Sequence, residues 1–132
     1  MPTDGTSLTE DKKVSVNEIA AVGQNRLPIE EFMKVDLRVA LVIDATRVRK
    51  SKRLLRVEVD LGAEKRTLVA GVAESYEPES LIGRSIVMVS NLQPAKLMGI
   101  ESNGMVLAAS GESGQSVLLF VDPPLPPGTR VR

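Results

Sequence analysis

The 132-residue chain contains neither cysteine nor histidine. Without thiols there is no disulfide and no thiolate nucleophile, and without imidazole the commonest general base and the usual zinc ligand sets are missing. Carboxylates remain at Asp60, Glu64, Glu74 and Glu77, but none pairs with a second group at a mechanistic spacing. We therefore expect no catalysis, no metal and no cofactor. Aromatic side chains are equally scarce, with no tryptophan and only Phe32, Tyr76 and Phe120, too few to stack a run of single-stranded bases. No apolar run approaches the roughly eighteen residues of a membrane span, and no cationic start with an apolar core and small-residue cleavage site opens the chain. The expectation is a soluble cytoplasmic protein with no membrane partner.

An excess of charge of one sign is also missing, since 17 basic residues face 17 acidic ones. The distribution is uneven. Between Lys34 and Arg66 ten cations stand against five anions, a local charge of +5, and Arg47 to Arg56 (RVRKSKRLLR) holds six cations and no acid. A cluster of that density can attract a polyanion even on a neutral protein.

At this length the chain fits one domain with extensions and a single core. Residues 1–27 are polar and read as a flexible or docking extension, with Val14 to Ile19 a short strand or a helical turn. Pro28 to Phe32 reads as a first helical turn, with proline at its first position and two glutamates at the positive end of the dipole. From Val35 the period becomes two. Val35, Leu37, Val39, Leu41 and Ile43 alternate with Asp36, Arg38, Ala40, Val42 and Asp44, the pattern of a half-buried strand.

Leu55 to Leu61 gives a second strand, Thr67 to Ala73 a third, and Glu77 to Gly83 a one-turn helix bounded by proline and glycine. Ser85 to Ser90 and Met105 to Ser110 make the fourth and fifth strands, and Gly111 to Gly114 a turn. Val117 to Val121 is extended, and PPLPPGTRVR cannot be helix, leaving a loose tail or a wrapped terminal segment.

Three strands, a short helix and two strands is the order of an OB-fold, a five-stranded Greek-key barrel with the helix between strands three and four. We expect an all-β barrel over residues 28–110, with residues 111–132 packing on the barrel or at a dimer interface. In that fold the second and third strands form a binding face, flanked by the loops after strands one and four. Those loops are the cationic run and Ser90 to Ser110 (SNLQPAKLMGIESNGMVLAAS), which reads as a recognition loop with its turn at Asn103-Gly104.

Four phrases carry a family resemblance: EEFMKVDLRVALVIDA (30–45), KSKRLLRVEVDLG (50–62), LVAGVAESYEPESLIGRSIVMVSNL (68–92) and PAKLMGIESNGMVLAAS (94–110). They are similar to the tRNA-binding domain found at the carboxyl end of many methionyl-tRNA synthetases and as stand-alone tRNA-binding proteins. The resemblance implies an OB-fold, usually a homodimer, without catalytic activity, that binds tRNA largely by shape and not by reading an anticodon. It implies tRNA as partner and leaves open a methionyl-tRNA synthetase catalytic subunit as a second. Ala40 stands where the family usually has glycine, and Thr46 where it often has an acid. A relative with the same barrel resembles a protein-export factor, so the alternative is a chaperone-like peptide-binding dimer; the basic loop and PAKLMGIESNGM look like the tRNA-binding branch.

Candidate tRNA contacts are the phosphate-seeking Arg47, Arg49, Lys50, Lys52 and Arg53, with Lys34 and Arg38 beside them, and Asn91, Lys96, Ser102 and Asn103 for ribose, phosphate or base edges. For Arg38 a pair with Asp36 is the competing role, for Ser102 and Asn103 turn chemistry, and for Met98 and Met105 core packing.

Overall fold

A computed structural model describes residues 25–132. The reading of residues 1–27, including the segment Val14 to Ile19, lies almost entirely outside the described residues. Strands β1 (Leu37–Arg47), β2 (Leu55–Asp60), β3 (Lys65–Ala70), β4 (Ser85–Val89) and β7 (Met105–Val106) form one antiparallel sheet in the order β3-β2-β1-β4-β7. A short helix α1 (Ile29–Phe32) precedes it, and a 3-10 turn (Pro78–Leu81) sits between β3 and β4. This is the OB-type barrel expected from the element order.

The 3-10 turn follows from Pro78 at its start and Gly83 at φ 88 just beyond its end. Pro28 caps α1 from one position before the helix and is not its first residue. Leu55, Val57 and Val59 alternate inward on β2. They meet Leu68, Leu81, Ile86 and Met88, and each such large buried side chain contributes about 1.5–3 kcal/mol. On β1 the core takes Ala40, Val42 and Ala45, which is the opposite phase from Val35, Leu37, Leu41 and Ile43. The strand is apolar on both faces over residues 39–43. A register shift between Val42 and Asp44 then moves the inward position to Ala45.

The carboxyl end wraps. Phe120 bridges to Ile86, and Val121 N–H donates to the Ser85 carbonyl at 3.0 Å. After the prolines, a last short strand (Arg130–Val131) pairs with Leu37 and Arg38 of β1. Phe120 meets Tyr76 edge to face at 6.0 Å and carries the Arg84 guanidinium 3.6 Å above its ring.

Gly104 is where the chain leaves the edge of β3, against which Ser102 and Asn103 are held, and joins the edge of β4 at Met105. It sits at φ 131, and a Cβ there would lie 2.5 Å from Met88 Cε and 2.9 Å from the Val89 carbonyl oxygen. Gly104→Ala is expected to lower stability by about 2–4 kcal/mol through strain and overpacking. A urea midpoint equal to that of the parent would show that the crossing is looser than described.

Candidate nucleic-acid interface

The cationic loop is a built turn. Val48 is buried; its N–H donates to the Leu54 carbonyl at 3.1 Å and its own carbonyl accepts Ser51 N–H at 3.1 Å. Lys50 completes the turn at φ 68. The Ser51 hydroxyl accepts the N–H groups of Arg53 and Leu54 at 3.3 and 3.2 Å. Ala73 N–H donates to the Arg53 carbonyl at 3.0 Å, which fastens the loop beyond the end of β3. Arg49, Lys50, Lys52 and Arg53 all point to solvent, and none forms an ion pair among the described residues. Arg47 differs, bonding the Ala73 carbonyl at 3.3 Å and Glu77 at 3.2 Å.

Ser90 to Ser110 contains a hairpin where the sequence suggested a loop. β5 (Ala95–Leu97) pairs with β6 (Ile100–Ser102) through a two-residue connection, Met98-Gly99. Its roots are tied on both sides. At the first root, Asn91 Oδ1 accepts Asp36 N–H at 2.9 Å and its Nδ2 donates to the Lys34 carbonyl at 2.6 Å. At the second, the buried Ser102 hydroxyl accepts Val69 N–H at 2.9 Å and donates to the Gly104 carbonyl at 3.1 Å, while Asn103 N–H donates to the Thr67 carbonyl at 2.8 Å. Arg66 bridges the two roots, its guanidinium donating to the Ser90 and Asn103 carbonyls.

Of the hairpin candidates, Asn91 and Ser102 therefore use their side chains within the chain, and we assign them to positioning. Lys96 is exposed and has no ion pair among the described residues; the Asn103 side chain is half-buried. Because β6 runs antiparallel beside β3, with Ser102 at Val69 and Asn103 at Thr67, the hairpin tip is directed toward the Gly71–Ala73 end, where Arg53 is fastened. The hairpin and the cationic loop are thus fastened to one stretch of chain, the hairpin at Thr67 and Val69 and the loop at Ala73.

Lys34 and Arg38 do not join it. Arg38 and Arg47 are nine residues apart on one strand, up to about 30 Å of extended chain. Lys34 pairs with Glu31 at 3.1 Å. Arg38 grips Asp36 through two bonds of 2.7 and 3.2 Å and donates to the Gly128 carbonyl at 3.1 Å. Its guanidinium hydrogen bond holds the Asp36 carboxyl below the usual carboxylate range, helped by Ser90 and Arg130 against the opposing effect of burial. Arg66 was legible only as one more cation; nothing in the sequence marks it as the tie between two roots.

A small antiparallel barrel bearing an exposed cationic turn and a clamped polar hairpin has the features of a nucleic-acid-binding OB-type protein. Residues 37–130 match the family model of the putative tRNA binding domain. The chain belongs to that family. It is 54% identical over 117 residues, 88% of its length, to the methionine–tRNA ligase of Thermotoga maritima, but covers only 18% of that enzyme. The chain thus spans less than a fifth of the curated relatives it matches. Among solved structures it is similar to a MetRS-related protein from Pyrococcus horikoshii, with 38% identity and a TM-score of 0.78 over 82% of this chain and 99% of that one. It is also similar to the chaperone CsaA of Bacillus anthracis, with 33% identity and a TM-score of 0.75 over 81% and 99%.

Ser102→Ala leaves the buried Val69 N–H without its acceptor and is expected to cost about 1–3 kcal/mol in chemical denaturation, whereas Lys96→Ala should stay within about 0.5 kcal/mol of the parent. Asp36 stabilises the fold while ionised, so its contribution is present above its unfolded pKa and lost as pH falls through the lowered folded value. Asp36→Asn should therefore be the less stable protein at neutral pH, the gap closing as the solution is acidified from about pH 4. A pH-independent gap in denaturation midpoints would refute the assignment.

Proposed function

We propose that the chain is a non-catalytic tRNA-binding module that recognises tRNA by shape and backbone charge and works as an accessory subunit or domain of a cytoplasmic methionyl-tRNA synthetase. The observation that carries this reading is the solvent-facing set Arg49, Lys50, Lys52 and Arg53, unpaired among the described residues and held on a stitched turn. Cations without carboxylate partners are free to replace condensed counterions along phosphates. The close likeness to methionine–tRNA ligases supports the synthetase connection. The chain acts as a homodimer in this reading, which would give cover to Ile43, Ile82, Leu119 and Leu125, all more than a third exposed. Light scattering on the full chain reads that state.

The likeness to a chaperone, together with the exposed Leu97, Met98 and Met105, favours one second reading, a peptide-binding dimer on the same barrel. The 260 to 280 nm absorbance ratio of the purified protein separates the two cheaply. A chaperone should arrive free of nucleic acid.

Reversing Lys50, Lys52 and Arg53 together to glutamate is expected to abolish tRNA binding while leaving thermal stability nearly unchanged. In the parent, the log of the affinity should fall with the log of salt at a slope of roughly −2 to −5, as for three to five phosphates neutralised. Unchanged affinity in the triple variant would remove the loop from the site. If a random duplex of equal length competes as well as intact tRNA, recognition by shape is wrong even though binding persists.

A further inference from the structure

The tip of the β5–β6 hairpin goes against two physical preferences at once. Leu97 and Ile100 pair directly, and the two residues between them, Met98 and Gly99, have φ of 50 and 80. Positive φ at both central positions is the sign pattern of a type I′ turn, where asparagine, aspartate and glycine are favoured because other L residues crowd their Cβ against the backbone. Methionine at the first of these positions costs the fold stability. It gains nothing by burial in return, since Met98 is 56% exposed and the adjoining Leu97 40%. A residue that serves neither the turn nor the core is explained by something outside the chain.

The surroundings narrow what that is. The turn lies beyond the Val69 end of the β6–β3 contact, in the direction of Ala73, whose N–H holds the Arg53 carbonyl; the apolar pair adjoins Lys96 in the chain and shares its β3 anchorage with the loop of Lys52 and Arg53, three exposed cations with no ion pair among the described residues. A lipid tail or an apolar peptide would leave those charges unanswered. A continuous duplex would satisfy the charges but hides the flat faces of its bases. An RNA with an unstacked base offers both an apolar face and flanking phosphates.

We propose that Leu97 and Met98 form an apolar pad that packs on the face of an unstacked RNA base, while Lys96 and the cationic loop hold the neighbouring phosphates. This rests on the tRNA-binding reading and names the feature of the RNA that the hairpin takes. The polarisable thioether suits a π face, and the contact tolerates sequence because every base has one.

Met98→Asn in the full chain tests it, because asparagine is the better turn residue. The thermal midpoint should stay or rise, the affinity for tRNA should fall about three- to tenfold, and the salt slope should not change because no phosphate contact is lost. Met98→Leu should keep most of the affinity. A blunt-ended duplex should bind parent and variant alike.

Equal tRNA affinity for parent and Met98→Asn overturns the proposal, as does a shallower salt slope or an equal loss on the duplex. If tRNA binding is untouched and the variant instead fails to suppress aggregation of a heat-denatured protein that the parent protects, the pad serves polypeptides and the proposal is again overturned. A parent that binds no tRNA overturns the underlying reading as well, which the first titration reveals.

Discussion

The free edge of the third strand has to be closed, and the Val69 amide shows how this chain does it. That N–H meets a serine hydroxyl, with Ser102 Oγ at 2.9 Å, where a further full strand would ordinarily supply a carbonyl. An unpaired edge is both a cost in buried polar groups and a template for aggregation. The closing element is a short hairpin, so only its β6 strand lies against β3 while the turn stands clear of the barrel. The closure also requires the chain to pass within touching distance of Met88 and Leu68, which is possible only because position 104 has no side chain. Barrel closure and the placement of the hairpin are thus one event.

The neutral composition and the cationic loop are reconciled by the geometry of strands. Asp36 with Arg38, Arg56 with Glu58, and Glu64 with Arg66 are ion pairs two residues apart in sequence, on the same face wherever the backbone is extended. On strands and their flanks, opposite charges consume one another, with at least one member of each pair partly shielded from solvent. Between Arg47 and Arg56 no acid is available and the backbone is a turn, so four of the six cations, Arg49, Lys50, Lys52 and Arg53, have no ion pair among the described residues. The field is local because the pairing is local.

Much of this was legible in the sequence. The order of strands and the helix between the third and fourth followed from period-two apolar runs and a proline-to-glycine segment, and the cationic loop from composition alone. Less legible was anything decided by a competition between two acceptable patterns. Residues 39–43 are apolar on both phases, so sequence could not say that Ala40, Val42 and Ala45 would face the core. Two dipeptides could turn the chain after Ser90. Asn103-Gly104 is the stronger local signal, yet the tight turn formed at Met98-Gly99 because Ser102 and Asn103 are held against β3. Ser102 and Asn91 were read as recognition groups from their polarity; with both hydrogen-bonding functions of each side chain occupied, they are structural supports.

Those supports bear on why few contacts would suffice for a neutral protein to bind RNA. A flexible cationic loop must lose conformational freedom on binding, and that loss subtracts from the electrostatic gain. Here the loop backbone is ordered during folding by the Ser51 hydroxyl, the buried Val48 and the Arg53 carbonyl, and the hairpin by Asn91, Ser102 and the Arg66 bridge. The remaining entropy to be lost on binding lies mostly in the side chains of Arg49, Lys50, Lys52, Arg53 and Lys96. In such an arrangement the spacing between loop and hairpin is set by the hydrogen-bonded strands β2 and β3 beneath them. It cannot adjust to each RNA that arrives. Under the proposed function, rigid spacing combined with flexible cationic tips would favour a partner whose phosphates already stand at the matching separation, which is what recognition by shape requires physically.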